Sequence, residues 1–125
     1  ENDPRLVRRR VWDAAAALLS SIPQAAEFEY TMLALSKNFV SSPHTDRNDF
    51  SVQYLLSLGD FTGGGELCIE DDPFQVSIIT TCNRLAKCDG RFPHWVSKYE
   101  GERYSVVFFR SQGTFDAPIR AVHTL

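Results

Sequence analysis

Apolar and polar positions change rhythm once along this chain. Near the start they recur at helical spacing, so that Val7, Val11, Ala14, Ala15, Leu18 and Leu19 fall on one face. Asp3 offers a cap, Pro4 suits a first helical turn, and the alanines at 14–17 favour the helical state. The run Ser20-Ser21-Ile22-Pro23 ends the pattern, because the residue before a proline avoids the helical region. One helix over about 4–20 is therefore predicted. After Pro23, short β-rich runs alternate with turn residues. Strands are expected at 28–35, 52–58, 66–70, 76–82, 91–96 and 103–109, with tight turns at Gly59-Asp60 and Gly63-Gly64-Gly65. The order predicts a mainly β sandwich or barrel over about 27–125, with the helix packed on its outer face.

One run says more than its neighbours. Tyr104-Ser105-Val106-Val107-Phe108-Phe109 is apolar on both sides of the pleat, which predicts a strand buried on both faces. One face then meets the interior of the β unit and the other meets the helix. Arg103, at the start of that strand, falls at the rim of an enclosed space.

Composition narrows the class. The chain has 125 residues, of which 43% are hydrophobic and 23% charged, the mix of one soluble globular domain, expected to span 1–125. No apolar run approaches the roughly 20 residues of a membrane span, so no membrane partner is expected. The net charge of -3 argues against a protein built chiefly to grip phosphate backbones. Four arginines among the first ten residues read as a solvated helix face or as a nucleic-acid contact. Cys68, Cys82 and Cys88 suggest neither a disulfide framework nor a zinc site, since no CxxC is present. A reducing, intracellular compartment, cytoplasmic or nuclear, is expected. The opening Glu1-Asn2-Asp3-Pro4 has no signal-peptide pattern and no initiator Met, as expected of a fragment or a processed chain.

The chemistry-bearing residues form an ordered set. In His44-Thr45-Asp46, residues two apart on an extended chain project together, so one imidazole and one carboxylate point the same way. His94 follows in Phe92-Pro93-His94-Trp95, and Arg103 in Gly101-Glu102-Arg103-Tyr104-Ser105. Two imidazoles and one carboxylate make the facial triad suited to non-haem Fe(II), with coordination positions left open. An arginine with a hydroxyl two residues on, on one strand face, suits the far carboxylate of a dicarboxylic cosubstrate.

This ordered set resembles that of the Fe(II)/2-oxoglutarate-dependent dioxygenases, over about 28–109. Gly63-Gly64-Gly65-Glu66-Leu67 resembles the Gly-Gly-x-Leu turn and strand of that superfamily, and 90–109 its distal-histidine hairpin. The resemblance implies a double-stranded β-helix, a cupin-like jelly-roll barrel with the metal at its mouth. It implies that His44, Asp46 and His94 bind Fe(II), and that Arg103, helped by Ser105, binds the C5 carboxylate of 2-oxoglutarate. Tyr54 and Asn48 are candidates for the cosubstrate's C1 end or for the substrate. The implied activity is hydroxylation of a substrate C–H bond with O2, releasing succinate and CO2, with ascorbate a further candidate cofactor.

The segments 42–49 and 90–95 resemble the branch that oxidises thymine or 5-methylcytosine in DNA, while prolyl hydroxylase-like and nucleic-acid demethylase branches share the same metal pattern. The primary substrate is thus a nucleic acid, a protein side chain or a small molecule. The chain departs from larger relatives in having one helix before Phe28 and no evident lid or DNA-binding insertion, which leaves a catalytically weak or inactive metal-binding module as the alternative. Other readings attach to single residues. Asp46 can cap the turn at Asn48-Asp49, and Asp49 is a rival carboxylate that projects to the other side of a regular strand. His123 has no carboxylate nearby and reads as structural or exposed. Arg103 can pair at the surface with Glu100 or Glu102. Phe92 and Trp95 read as wall packing, and Arg47 and Arg91 as anion steering or as solvated side chains.

Overall fold

The computed structural model describes residues 3–123, so the first two and last two positions of the expected domain lie outside the described residues. Helix α1 (Pro4–Ser20) leads into eleven strands: β1 (Met32–Lys37), β2 (Ser41–His44), β3 (Gln53–Leu58), β4 (Phe61–Thr62), β5 (Leu67–Asp72), β6 (Gln75–Ile79), β7 (Ala86–Cys88), β8 (His94–Val96), β9 (Glu100–Gly101), β10 (Tyr104–Phe109) and β11 (Val122–His123). Asp3 caps the helix, its carboxylate accepting from the Arg5 backbone N–H at 2.9 Å. The helix boundaries match those read from the sequence.

The strands form antiparallel sheets. A five-stranded sheet has the order β1-β10-β3-β7-β11, and a four-stranded sheet the order β2-β8-β5-β6. A small ribbon pairs β4 with β9. Neither main sheet closes on itself among the described residues, so the fold is mainly β but forms no closed barrel. The two sheets meet through Leu55, Ala86 and Cys88 of one against Leu67 and Ile69 of the other. All three cysteines are free.

The pleat of β3 and β10 sorts side chains to two destinations. Tyr54, Leu56 and Phe108 face α1 and pack with Ala15, Leu19 and Ala25. Gln53, Leu55, Ser105 and Val107 face the opposite way, towards the second sheet and the cavity described below. Strand β10 is thus central, between β1 and β3, but its expected burial on both faces is complete only at Phe108: Tyr104 is exposed and the other four residues are half-buried.

Several expected boundaries move. The first strand runs 32–37 rather than 28–35, because Phe28 and Tyr30 are used as aromatic packing for Tyr54 and Phe108 rather than in a ladder. The strand expected at 91–96 is only His94–Val96, and that expected at 76–82 stops at Ile79. Five strands of two to four residues, β2, β4, β7, β9 and β11, have no counterpart in the sequence reading. Such segments are too short to display a period. The predicted helix face is buried only at Ala15 and Leu19, while Val7 and Leu18 remain in solvent. Arg5, Arg8, Arg9 and Arg10 are all exposed, with Arg5 against Asp3 and Arg9 against Asp13.

Phe108 is fully buried (0% exposed), with its ring edge-on to Tyr30 at 5.0 Å between centroids. Phe108→Ala is expected to lower the unfolding free energy by about 3–5 kcal/mol, and Val7→Ala by well under ~1 kcal/mol, in urea denaturation.

Candidate metal centre and anion pocket

A cavity of about 590 Å3 opens between the two sheets. At one end stand His44, Asp46 and His94. His44 and His94 are direct partners in the β2–β8 pairing, which is why imidazoles fifty positions apart in the chain meet with ring centroids 4.3 Å apart. Pro43 is tolerated in β2 because β2 is an edge strand. Asp46 lies just past the end of β2. Its backbone N–H donates to the Gly90 carbonyl at 2.8 Å, which ties it to the turn that precedes β8.

The ligand atoms converge. Asp46 Oδ2 is 3.3 Å from His94 Nε2, and Asp46 Oδ1 is 3.8 Å from His44 Nε2. One atom from each of the three residues lies within 4.8 Å of the others. Ligands at about 2.1 Å from a single octahedral ion stand about 3 Å apart at right angles, so a small closure suffices. Both rings are also oriented. His44 Nδ1 lies 3.0 Å from the Ser42 carbonyl and His94 Nδ1 2.9 Å from the Phe92 carbonyl. A carbonyl only accepts, so each Nδ1 carries the hydrogen, and each Nε2 of a neutral ring presents its lone pair to the shared point.

Charge follows this geometry. Burial alone pulls the His94 pKa down, but the hydrogen bond that its protonated ring donates to Asp46, the Phe92 carbonyl and the Asp46 charge together raise it above the ordinary value. For Asp46, burial pulls upward, and the His94 hydrogen bond and charge, the Gln53 amide and His44 outweigh it and hold the carboxyl low. The rival carboxylate, Asp49, is not one of the converging group. It is buried behind Asp46, and burial followed by the Asp46 charge pushes it up to about 6.

Arg103 occupies another part of the cavity wall. It is 2% exposed, with no carboxylate partner among the described residues. Glu102 pairs instead with Lys37. The guanidinium Nε donates to the Gly65 carbonyl at 3.1 Å and Nη2 to Thr81 Oγ1 at 3.4 Å, and the group lies over the rings of Phe61 and Tyr99. Burial pulls its pKa below the ordinary value. The glycine turn makes this seat. A Cβ on Gly64 would fall 1.7 Å from the Lys98 carbonyl oxygen, and one on Gly65 2.6 Å from the Phe61 ring. Ser105 lies on the same face, its hydroxyl bonded to that of Ser36. Two hydroxyls sharing one hydrogen bond leave one hydrogen free to donate elsewhere. Ser41 Oγ, also on the cavity wall, is buried without a partner. Sequence reasoning passed over Ser41 and Gln53, since a lone serine or glutamine in a strand carries no pattern of its own.

Other expected residues go elsewhere. Tyr54 lies on the opposite face of β3, against α1, so it does not reach the cavity; its neighbours Gln53 and Leu55 do. Asn48 and Arg47 line the cavity and are exposed. Arg91 is neither solvated nor free to steer an anion. Its Nε and Nη2 donate to the two oxygens of Asp89, each at 2.8 Å, and Nη1 donates to the Asp116 carbonyl. His123 sits on β11 opposite Lys87, apart from the converging group. Phe92 belongs to the packing between sheets.

Among the described residues no helix is long and apolar enough to cross a membrane. Compared with protein families, curated proteins and solved structures, the chain matches none of them.

The side chains of the Asp89–Arg91 pair are 1% and 8% exposed. Asp89→Ala leaves a buried cation without its partner and is expected to destabilise the fold by about 3–5 kcal/mol in urea denaturation. Amide exchange near Asp116 should accelerate in the same variant, because Arg91 also holds that segment.

Proposed function

We propose that this chain is an Fe(II)- and 2-oxoglutarate-dependent dioxygenase that hydroxylates a substrate C–H bond, on a jelly-roll arrangement of its two sheets. The observation that carries the reading is Arg103. A buried guanidinium without a carboxylate, in the same cavity as a two-histidine, one-carboxylate group, is a site built for an anion close to a metal. The unpartnered Ser41 hydroxyl and the spare hydrogen of the Ser36–Ser105 pair fit an oxygen-rich ligand. The donor set of two nitrogens and one oxygen favours iron over a structural zinc site built on thiolates.

In this reading His44, Asp46 and His94 hold the ion and leave the remaining positions open. The Ser42 and Phe92 carbonyls fix the two rings by their Nδ1 hydrogens. Arg103 and Ser105 would hold the distal carboxylate of 2-oxoglutarate. Leu55, Leu67 and Val107 give the cavity an apolar wall that limits water. An Fe(II) ion held there would supply the oxidising chemistry, with 2-oxoglutarate and O2 consumed and succinate and CO2 released. Tyr54 takes no part.

The primary substrate enters past exposed groups. The arginines of α1 belong to the helix on the other face of the five-stranded sheet, and Arg91 is consumed by Asp89. Arg47, exposed on the cavity wall with no ion-pair partner among the described residues, is the cation placed to meet an anionic substrate.

Anaerobic Fe(II) with 2-oxoglutarate is expected to give a weak visible charge-transfer band that His94→Ala abolishes. Absence of the band in the folded wild-type protein overturns the proposal. Arg103→Met is expected to raise the 2-oxoglutarate concentration for half-saturation by about 100-fold, the loss of two charge-assisted hydrogen bonds, with Fe(II) affinity little changed. Succinate formation across a panel of nucleosides, oligonucleotides and peptides then separates an active enzyme from a metal-binding module, and product mass identifies the substrate.

A further inference from the structure

Behind the converging ligands lies a polar residue that the proposed chemistry does not use. Gln53 is 5% exposed and faces the cavity from β3. Its Nε2 is 3.1 Å from Asp46 Oδ2 and 3.1 Å from Asp49 Oδ2. One amide nitrogen thus gives its two hydrogens to two carboxylates. The arrangement is tight enough to dictate its neighbour. A Cβ at Gly90 would lie 2.2 Å from Gln53 Nε2 and 2.6 Å from Asp46 Oδ2, so only glycine leaves room for the bridge.

The choice of an amide has a chemical consequence. A lysine or arginine here would neutralise Asp46 and compete with a cation for it. An amide donates a hydrogen bond yet leaves the formal charge on the carboxylate. Asp49, buried and fixed by its own backbone N–H to the Asp46 carbonyl at 3.3 Å, gives the amide a second anchor.

We propose that Gln53 is a positioning residue for the metal centre: it locks the rotation of the Asp46 carboxylate by donating a hydrogen bond to Oδ2. The carboxylate then meets the ion in one fixed orientation. This rests on the reading of His44, Asp46 and His94 as iron ligands, and goes beyond it in assigning Gln53 and Gly90 to the support of one of them.

The test uses Co(II) as a spectroscopic stand-in for Fe(II), with the full chain. Wild-type protein is expected to bind Co(II) with the weak visible absorption of a six-coordinate ion. Gln53→Leu, close in size but without donors, should bind about 10–100-fold more weakly. Its Co(II) spectrum should also change in shape and intensity, because the freed carboxylate turns. A merely structural role would lower the melting temperature and leave the spectrum of the bound ion as it was. Gly90→Ala keeps Gln53 but crowds both its amide and Asp46 Oδ2, and should also change the spectrum. If wild-type protein binds no Co(II), the metal reading itself fails. If wild-type protein binds and folded Gln53→Leu matches it in affinity and spectrum, the role of Gln53 is overturned while the metal reading stands. Should neither variant fold, the wild-type protein decides by NMR. The Gln53 side-chain amide hydrogens should exchange slowly and shift when Zn(II) is added, and rapid exchange without a shift overturns the proposal.

Discussion

The period-two alternation of two adjacent central strands is the constraint from which the rest of this molecule follows. β3 and β10 lie side by side, and each sends successive side chains to opposite faces. On one face, Tyr54, Leu56 and Phe108 make an apolar bed for the helix. On the other, Gln53, Leu55, Ser105 and Val107 make the floor of a cavity roofed by the second sheet. A shift of one residue in the phase of either strand would exchange the two sets, placing polar groups under the helix and aromatic rings in the cavity. Burial on both faces therefore fixes register and site together.

Within that frame, polar groups are held by neighbours that cannot change their charge. Backbone carbonyls orient both histidines, a glycine carbonyl and a threonine hydroxyl hold Arg103, and an amide holds Asp46. Asp89 and Arg91 are the contrast: a buried bidentate pair that satisfies itself and fastens the chain near Asp116. The difference separates charged groups held by neutral partners from charged groups that pair with one another. Arg103 and Arg91 are both mostly removed from water, yet only Arg91 has a carboxylate.

Much of this was legible in the sequence, for definable reasons. The helix declared itself by cap, proline and period. The run 104–109 predicted a strand between two packed faces, which β10 is by position though only Phe108 is fully buried, and the place of Arg103 followed from that strand's start. The convergence of His44, Asp46 and His94 rested on an ordered pattern that matched their chemistry. What was hidden was hidden physically. Strands of two to four residues show no period, and Ser41–His44 carries a proline that reads as a turn. The phase of β3 was unreadable because its residues 53–57 are buried on both faces, so the sequence reading places Tyr54 at the cavity and passes over Gln53. Arg91 looked like a surface cation because nothing local reveals that Asp89, two residues earlier, is sealed from solvent.

The manner in which α1 is attached has its own result. Its buried side chains, Ala15 and Leu19, both lie in the second half, while Leu6 and Val7 stand in water among arginines. A helix fastened at one end has no uniform stability, since short unsupported turns are marginal in water. Its hydrogen-bonded turns will therefore open from the amino end inward, and the molecule carries a graded, fraying arm on an otherwise interlocked pair of sheets.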